Sequence, residues 1–302
     1  MSRRIIDCHN HPYWHGKDID GLVANMDKLG IEKTWLLSWE LPRHEFDVTP
    51  GYYAAFDPRG IAAPLNGVLE GLRAYPDRFV GGWAPDPRDR HARARLTAAV
   101  RIHGIRVYGE LKCRMRYDNP DAIAMFRHCG DLGLPVLFHL QFYRSALEKQ
   151  CEGIDAWPEW HGGDIDVVDA MCRMCPRTFF IGHATCFWRH ISGDATRDTE
   201  SYPKKPVKPR GRLKTLLRKH GNLYCDFSAG SGRNALERDM KHARRFVREF
   251  QDRILFGRDM YDARHLDVLD ELGLGEDILD KVLRRNAEAV LKKAWRRRRP
   301  AE

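Results

Sequence analysis

An α/β fold, in which eight parallel strands each followed by a helix close into a (β/α)8 TIM barrel, is predicted by three observations. Short β-branched or aromatic runs alternate with segments of helical period, the pattern of right-handed βαβ units around a parallel sheet. Eight such runs fit into 302 residues, the size and order of a barrel that typically takes about 250. The surplus lies in three stretches that leave the C-terminal ends of strands, the face on which such barrels build active sites.

The first strand, Arg4 to His11, opens on Ile5 and Ile6. Lys33 to Ser38 follows with Thr34 and Trp35, then Arg78 to Trp83 with Phe79 and Val80, then Gly104 to Lys112 with Ile105 and Val107. Strands five, six and seven are Leu134 to Gln141, Thr178 to His183 and Asn222 to Phe227, and the eighth is Arg253 to Asp259. Among the helices, Pro120 to Leu132 has the clearest bounds: Asn119 caps it, Pro120 takes the first helical position and Gly133 ends it. Asp277 to Trp295 closes the chain in the same style. The long connections are Leu41 to Asn66, Phe142 to Asp164 and Cys186 to Arg210. With no repeat, linker or composition break, residues 1–302 are expected as one domain with a basic tail over 292–302.

Composition excludes several classes. With 43% hydrophobic and 31% charged residues the chain buries a full core without staples. Its most apolar stretch, Leu132 to Tyr143, is well short of the roughly 20 residues of a spanning helix. Met1 to Arg4 run straight into the first strand without an apolar signal region, so a cytoplasmic protein with reduced thiols is expected. Cys172-x-x-Cys175 has no second pair and reads as packing. The net charge of +9 is mostly Lys292, Lys293 and Arg296 to Arg299, read as a solvated helix end rather than a nucleic-acid surface.

The chemistry gathers at strand ends. In Asp7-Cys8-His9-Asn10-His11, alternation points His9 and His11 the same way, where two imidazoles can share one cation. Other strands end on His139, His183 and Asp259. Histidine fills only 14 positions, so this clustering points to an N/O ligand set with room for water.

Together Ile6-Asp7-Cys8-His9-Asn10-His11, Leu134 to His139, Ile181-Gly182-His183 and Ile254 to Asp259 resemble the amidohydrolase-related family, which includes the aminocarboxymuconate semialdehyde decarboxylase-like enzymes. The resemblance spans nearly the whole chain. It implies a metal-dependent barrel enzyme in which His9, His11, His139 and Asp259 bind one divalent ion, and His183 is an acid or base beside it. Zinc is the expected ion, with manganese or iron compatible and a second ion an alternative. A homodimer follows by the same analogy. The family includes hydrolases, non-oxidative decarboxylases and a hydratase. The expected reaction is attack by metal-activated water on a small, acid-bearing amide, lactone or ester, with Asp259 taking the proton and His183 stabilising the oxyanion. Decarboxylation on the same ion is the alternative, followed by a TatD-like phosphoesterase and a nucleic-acid-binding barrel.

On strand four, Arg106, Tyr108, Glu110 and Lys112 are expected to share the inward face. Three readings stay open: Glu110 or Lys112 supports a second ion, Arg106, Glu110 and Lys112 neutralise one another, or Lys112 binds a substrate carboxylate. Trp14, Trp39, Trp83, Trp157, Trp160 and Trp188 sit at catalytic-side strand ends, either as an aromatic substrate wall, with Trp14 and Trp188 foremost, or as loop packing. Ser228-Ala229-Gly230-Ser231-Gly232-Arg233-Asn234 precedes a helix, either as an anion-holding turn completed by Arg233 or as an ordinary connection.

Overall fold

The computed structural model describes residues 3–40, 63–141, 160–196 and 200–299. Eight parallel strands appear among them: β1 (Ile5–Asn10), β2 (Ile31–Leu37), β3 (Phe79–Gly82), β4 (Tyr108–Leu111), β5 (Val136–His139), β6 (Phe180–His183), β7 (Leu223–Asp226) and β8 (Ile254–Leu255). They pair in chain order, β1 to β3 and β4 to β8. A parallel bridge between Gly82 and Val107 joins the two runs on one side. On the other side Cys8 N–H donates to the Phe256 carbonyl (2.9 Å) and Asp259 N–H to the His9 carbonyl (2.8 Å). The ring is thereby closed as the predicted (β/α)8 barrel.

Helices α1 (Ile19–Lys28), α2 (Leu65–Ala74), α3 (Ala92–His103), α4 (Pro120–Leu132), α5 (Asp166–Met174), α6 (Thr185–Arg189), α7 (Arg212–Lys219), α8 (Ala229–Glu237), α9 (Met240–Glu249) and α10 (Arg264–Glu271) alternate with the strands. α4 has the expected bounds: Asn119 accepts from Asp121 N–H (2.9 Å), and Gly133 leaves the helix at φ 75°. The closing segment is not the single helix expected. It divides into α11 (Glu276–Asp280), a π-helical stretch (Lys281–Arg285) and α12 (Asn286–Arg297). The Val282 carbonyl, inside the π stretch, accepts from Phe256 N–H (3.0 Å), and Asn286 Nδ2 donates to the Ile254 carbonyl (2.7 Å). The interruption therefore lets the last helix hold the short eighth strand.

Two apolar layers fill the structure. The larger lies between strands and helices and includes Leu36, Phe126, Phe138, Phe180 and Phe246. The smaller draws Ile6, Trp35, Leu37, Val107, Leu137, Ile181, Tyr224 and Leu255 from around the ring, with Ala287, Val290 and Ala294 of α12. Each fully buried side chain of this size contributes roughly 1.5–3 kcal/mol. At the β8–β1 seam Arg258 Nε donates to Asp7 Oδ2 (2.8 Å), with both side chains fully buried. Losing one partner of such a pair costs about 3–5 kcal/mol.

Strand four departs from simple alternation. Val107 belongs to the inner layer, and Tyr108 and Leu111 to the outer one. Arg106 stacks on Trp295 (4.5 Å) of α12. The pairing register shifts between Tyr108 and Leu111, which turns Glu110 and Lys112 inward while Arg106 and Tyr108 stay out. The proposed Arg106, Glu110 and Lys112 charge network is therefore absent among the described residues. Most of two predicted insertions, with Trp157, lies outside the described residues, and the third opens on α6 rather than a loop. No helix among the described residues is long and apolar enough to cross a membrane.

Candidate metal centre

Three imidazoles are tied at Nδ1 and present Nε2 to one carboxylate. His9 Nδ1 lies 2.9 Å from Asp226 Oδ2, His11 Nδ1 donates to the Leu37 carbonyl (2.9 Å), and His183 Nδ1 lies 3.0 Å from Ser228 Oγ and 3.3 Å from Asp226 Oδ1. A partner at one ring nitrogen fixes orientation and tautomer and frees the other as a ligand. The carboxylate they face is Glu110. Its Oε2 lies 3.7 Å from His9 Nε2 and 3.4 Å from His11 Nε2. Its Oε1 lies 2.7 Å from His139 Nδ1 and 3.8 Å from His183 Nε2. Asp259 Oδ1 stands 3.6 Å from His11 Nε2.

These six side chains form three overlapping groups with a cation's spacing: His9, His11 and Glu110; Glu110, His139 and His183; His9, His183 and Asp259. His9 Nε2 and Asp259 Oδ1 are buried without a hydrogen-bond partner, a costly state that a bound cation relieves. The donor set and these two orphaned atoms fit a divalent ion.

Electrostatics hold the carboxylates ionised and set His9 and His139 apart. Burial opposes a charge on His9, yet Asp226 and Asp259 outweigh it and raise its pKa well above the usual imidazole value. Burial would likewise raise Asp226, but His183 and His9 hold it far below the ordinary carboxylate range. Glu110 is also buried, and the surrounding His139, His11 and His9 keep its carboxyl well below its usual value. Burial and Lys112 push His139 down to about 4, so that it is neutral at neutral pH.

Above the cluster lies a cavity of about 380 Å³ whose lining includes Trp14, Trp39, Lys112, Tyr202, Gly230 and Ser231. Trp14 lines the cavity, donating Nε1–H to the Asp259 carbonyl (2.7 Å) and meeting His11 edge-on. Lys112 lines the cavity with Nζ 3.5 Å from the Trp39 ring centroid, outside the three cation groups. Two expected substrate contacts are corrected. Trp188 packs on Phe187 and Phe246 and donates to the Asp226 carbonyl (2.8 Å), because α6 turns it into the core. Arg233 lies one turn into α8, pairs with Glu237 (3.5 Å) and does not line the cavity. Asp226 was not among the candidates, and Ser228 was considered only as the start of an anion-holding turn. The signal for Asp226 was an acid ending the seventh strand, the same feature that marked Asp259.

The amidohydrolase family model matches residues 6–293. The chain belongs to the amidohydrolase family. Among solved structures, a putative 2-pyrone-4,6-dicarboxylic acid hydrolase from Pseudomonas putida is similar at TM-score 0.62 and 13% identity, covering 97% of this chain and 99% of its own. A 2,6-dihydroxybenzoate decarboxylase from Rhizobium gives 0.57 and 17%, covering 97% and 99%. A dihydroxybenzoic acid decarboxylase from Polaromonas, solved with manganese and 2-nitroresorcinol, gives 0.58 and 18%, covering 96% and 97%. At these identities the likeness is one of fold. Comparison with curated proteins returns no match. The family is metal-dependent and includes both hydrolases and decarboxylases.

Proposed function

We propose that the chain is a metal-dependent hydrolase acting on a small, carboxylate-bearing amide, lactone or ester. One observation carries the reading: Glu110 offers each of its two oxygens to a separate pair of imidazoles. That arrangement suits two ions, one held by His9, His11 and Asp259, the other by His139 and His183, with Glu110 shared between them. It promotes Glu110 over the one-ion expectation and makes His183 a ligand as well as a neighbour of the reacting atoms. The all-N/O donors accept zinc, manganese or iron.

A divalent ion supplies, when bound, a water whose pKa falls from 15.7 to about 7, worth roughly 12 kcal/mol at neutral pH. The protein's part is positioning and proton transfer. Asp226 and Ser228 lock His9 and His183, so these rings do not reorient during reaction. Asp259, whose carboxylate lines the cavity beside His11, would take the proton of the attacking water. Trp14 holds the Asp259 backbone by donating to its carbonyl. Trp39 and Tyr202 provide flat apolar wall beside the reacting group.

Reaction in labelled water decides between this and decarboxylation. Heavy oxygen in the product, with no gas released, is the expected result when the purified protein is screened against aromatic lactones and amides. Release of carbon dioxide without incorporation assigns the decarboxylase reading instead.

A further inference from the structure

Away from the barrel mouth, three side chains of different chemistry meet at a second point. Cys186 lies in α6 and His190 caps its C-terminus, four residues on, so both project from one face of the helix. Asp164, two residues before α5, reaches them both. Its Oδ1 lies 3.6 Å from Cys186 Sγ and 3.0 Å from His190 Nε2, and the three ligand atoms lie within 4.8 Å of one another. Cys186 is 2% and His190 4% exposed, whereas the Asp164 side chain keeps 23%, which leaves an entry path for an ion. None of the three lines the cavity or belongs to the cation groups at the barrel mouth.

Each donor stands on main chain fixed by a different neighbour. Cys186 N–H donates to the Leu140 carbonyl (3.0 Å), Leu213 N–H to the His190 carbonyl (2.9 Å) and Val167 N–H to the Asp164 carbonyl (3.1 Å). A tetrahedral ion bonded at about 2.3 Å to sulfur and about 2.0–2.2 Å to nitrogen and oxygen spaces its ligands roughly 3.4–3.6 Å apart. The sulfur–oxygen edge already has that length, and the nitrogen–oxygen edge needs only to open slightly. Charge fits as well. Thiolate and carboxylate cancel a divalent charge, so the filled site is neutral, the state in which burial costs least. Without the ion, three donors crowd one oxygen, since Asp164 Oδ1 also accepts from Ile165 N–H (2.7 Å).

We propose that Asp164, Cys186 and His190 hold a structural divalent ion of the zinc class, with carboxylate, thiolate and imidazole as ligands and the fourth position left to solvent. On binding, the Cys186 thiol gives its proton to solvent and His190 binds through unprotonated Nε2; nothing is oxidised or reduced. The sulfur ligand sets this site apart from the all-N/O centre at the barrel mouth. The ion ties the chain entering α5 to α6, whose Thr185 lines the cavity. It thereby fixes one wall of the cavity and takes no part in the reaction, whichever reaction the barrel mouth performs.

The test uses the full-length protein produced in zinc-free medium supplied with cobalt(II), so the probe is the metal itself. Cobalt bound to a thiolate absorbs intensely in the near ultraviolet. The nitrogen and oxygen donors at the barrel mouth give no such band, so the result does not depend on whether that centre fills. The unaltered protein is expected to show the band and Cys186→Ser to lose it. Asp164→Asn keeps the thiol and nearly the same shape, and decides the question if Cys186→Ser does not fold. It should let a chelator strip the band at about 10–100-fold lower concentration, the scale of a lost supporting carboxylate. A chain without the band, a band that survives Cys186→Ser, or one whose resistance to chelator is unchanged in Asp164→Asn overturns the site.

Discussion

His9 is the residue on which the centre's proton balance turns. Its raised pKa means that the metal-free protein carries a proton there at pH 7, held by Asp226 and Asp259, and a cation must displace it. Metal uptake at pH 7 is expected to release about one proton from this ring, read by calorimetry in buffers of different ionisation enthalpy. Affinity should fall as pH falls. Asp226→Asn should weaken metal binding about 10–100-fold and shrink the release; unchanged release would contradict the assignment. The sign for stability runs separately in the metal-free chain. His9, raised, contributes fully below its ordinary 6.5 and loses that contribution as pH climbs through its folded value. Asp226, lowered, contributes above its ordinary 3.8 and loses it on acidification. At this scale His9, His11, His139, His183 and Asp259 were readable because rare histidines and one acid recur at strand ends. Asp226 carried the same strand-end signal, but its role and that of Ser228 lie in what they touch across the ring, and no spacing along the chain encodes that contact.

The elements around the site hold their backbone under strain. Ala184, directly after β6, sits at φ 81° and ψ 179°, a region that belongs essentially to glycine. Ala229 (φ 54°) begins α8 and Asp259 (φ 51°) follows β8, so three strand ends leave the barrel through left-handed residues. Such conformations cost about 1–3 kcal/mol each and persist where surrounding contacts impose them. Ala184→Gly is expected to stabilise the protein by about 1 kcal/mol, raising Tm by roughly 2–4 °C. Thermal unfolding of the metal-loaded variant checks this, and a lowered Tm would contradict it. Element order and the bounds of α4 followed from capping and periodicity. The inward set of strand four did not, because alternation assumes an unbroken register and the shift between Tyr108 and Leu111 breaks it. The split of the closing helix was equally hidden, as it depends on Phe256, just after β8, reaching the Val282 carbonyl, a contact that helical periodicity does not encode.

For the whole molecule, barrel closure converts separate strand ends into one centre. The β8–β1 seam brings Asp259 beside His9 and His11 through main-chain pairing and the buried Arg258–Asp7 contact, while β4 to β6 deliver Glu110, His139 and His183 from the other side. The closed fold was readable from the count of alternating runs, and a second ion at Glu110 or Lys112 was among the open readings; which of the two residues faces the imidazoles was not readable, since that depends on the register of strand four inside the closed ring. Metal analysis of the purified protein and of Glu110→Gln addresses the placement of Glu110 directly. Besides the ion at Cys186, two equivalents of divalent metal per chain are expected in the unaltered protein, those two falling to one or fewer when the shared carboxylate becomes an amide. A chain that holds no metal, or a stoichiometry that Glu110→Gln leaves unchanged, would contradict the account.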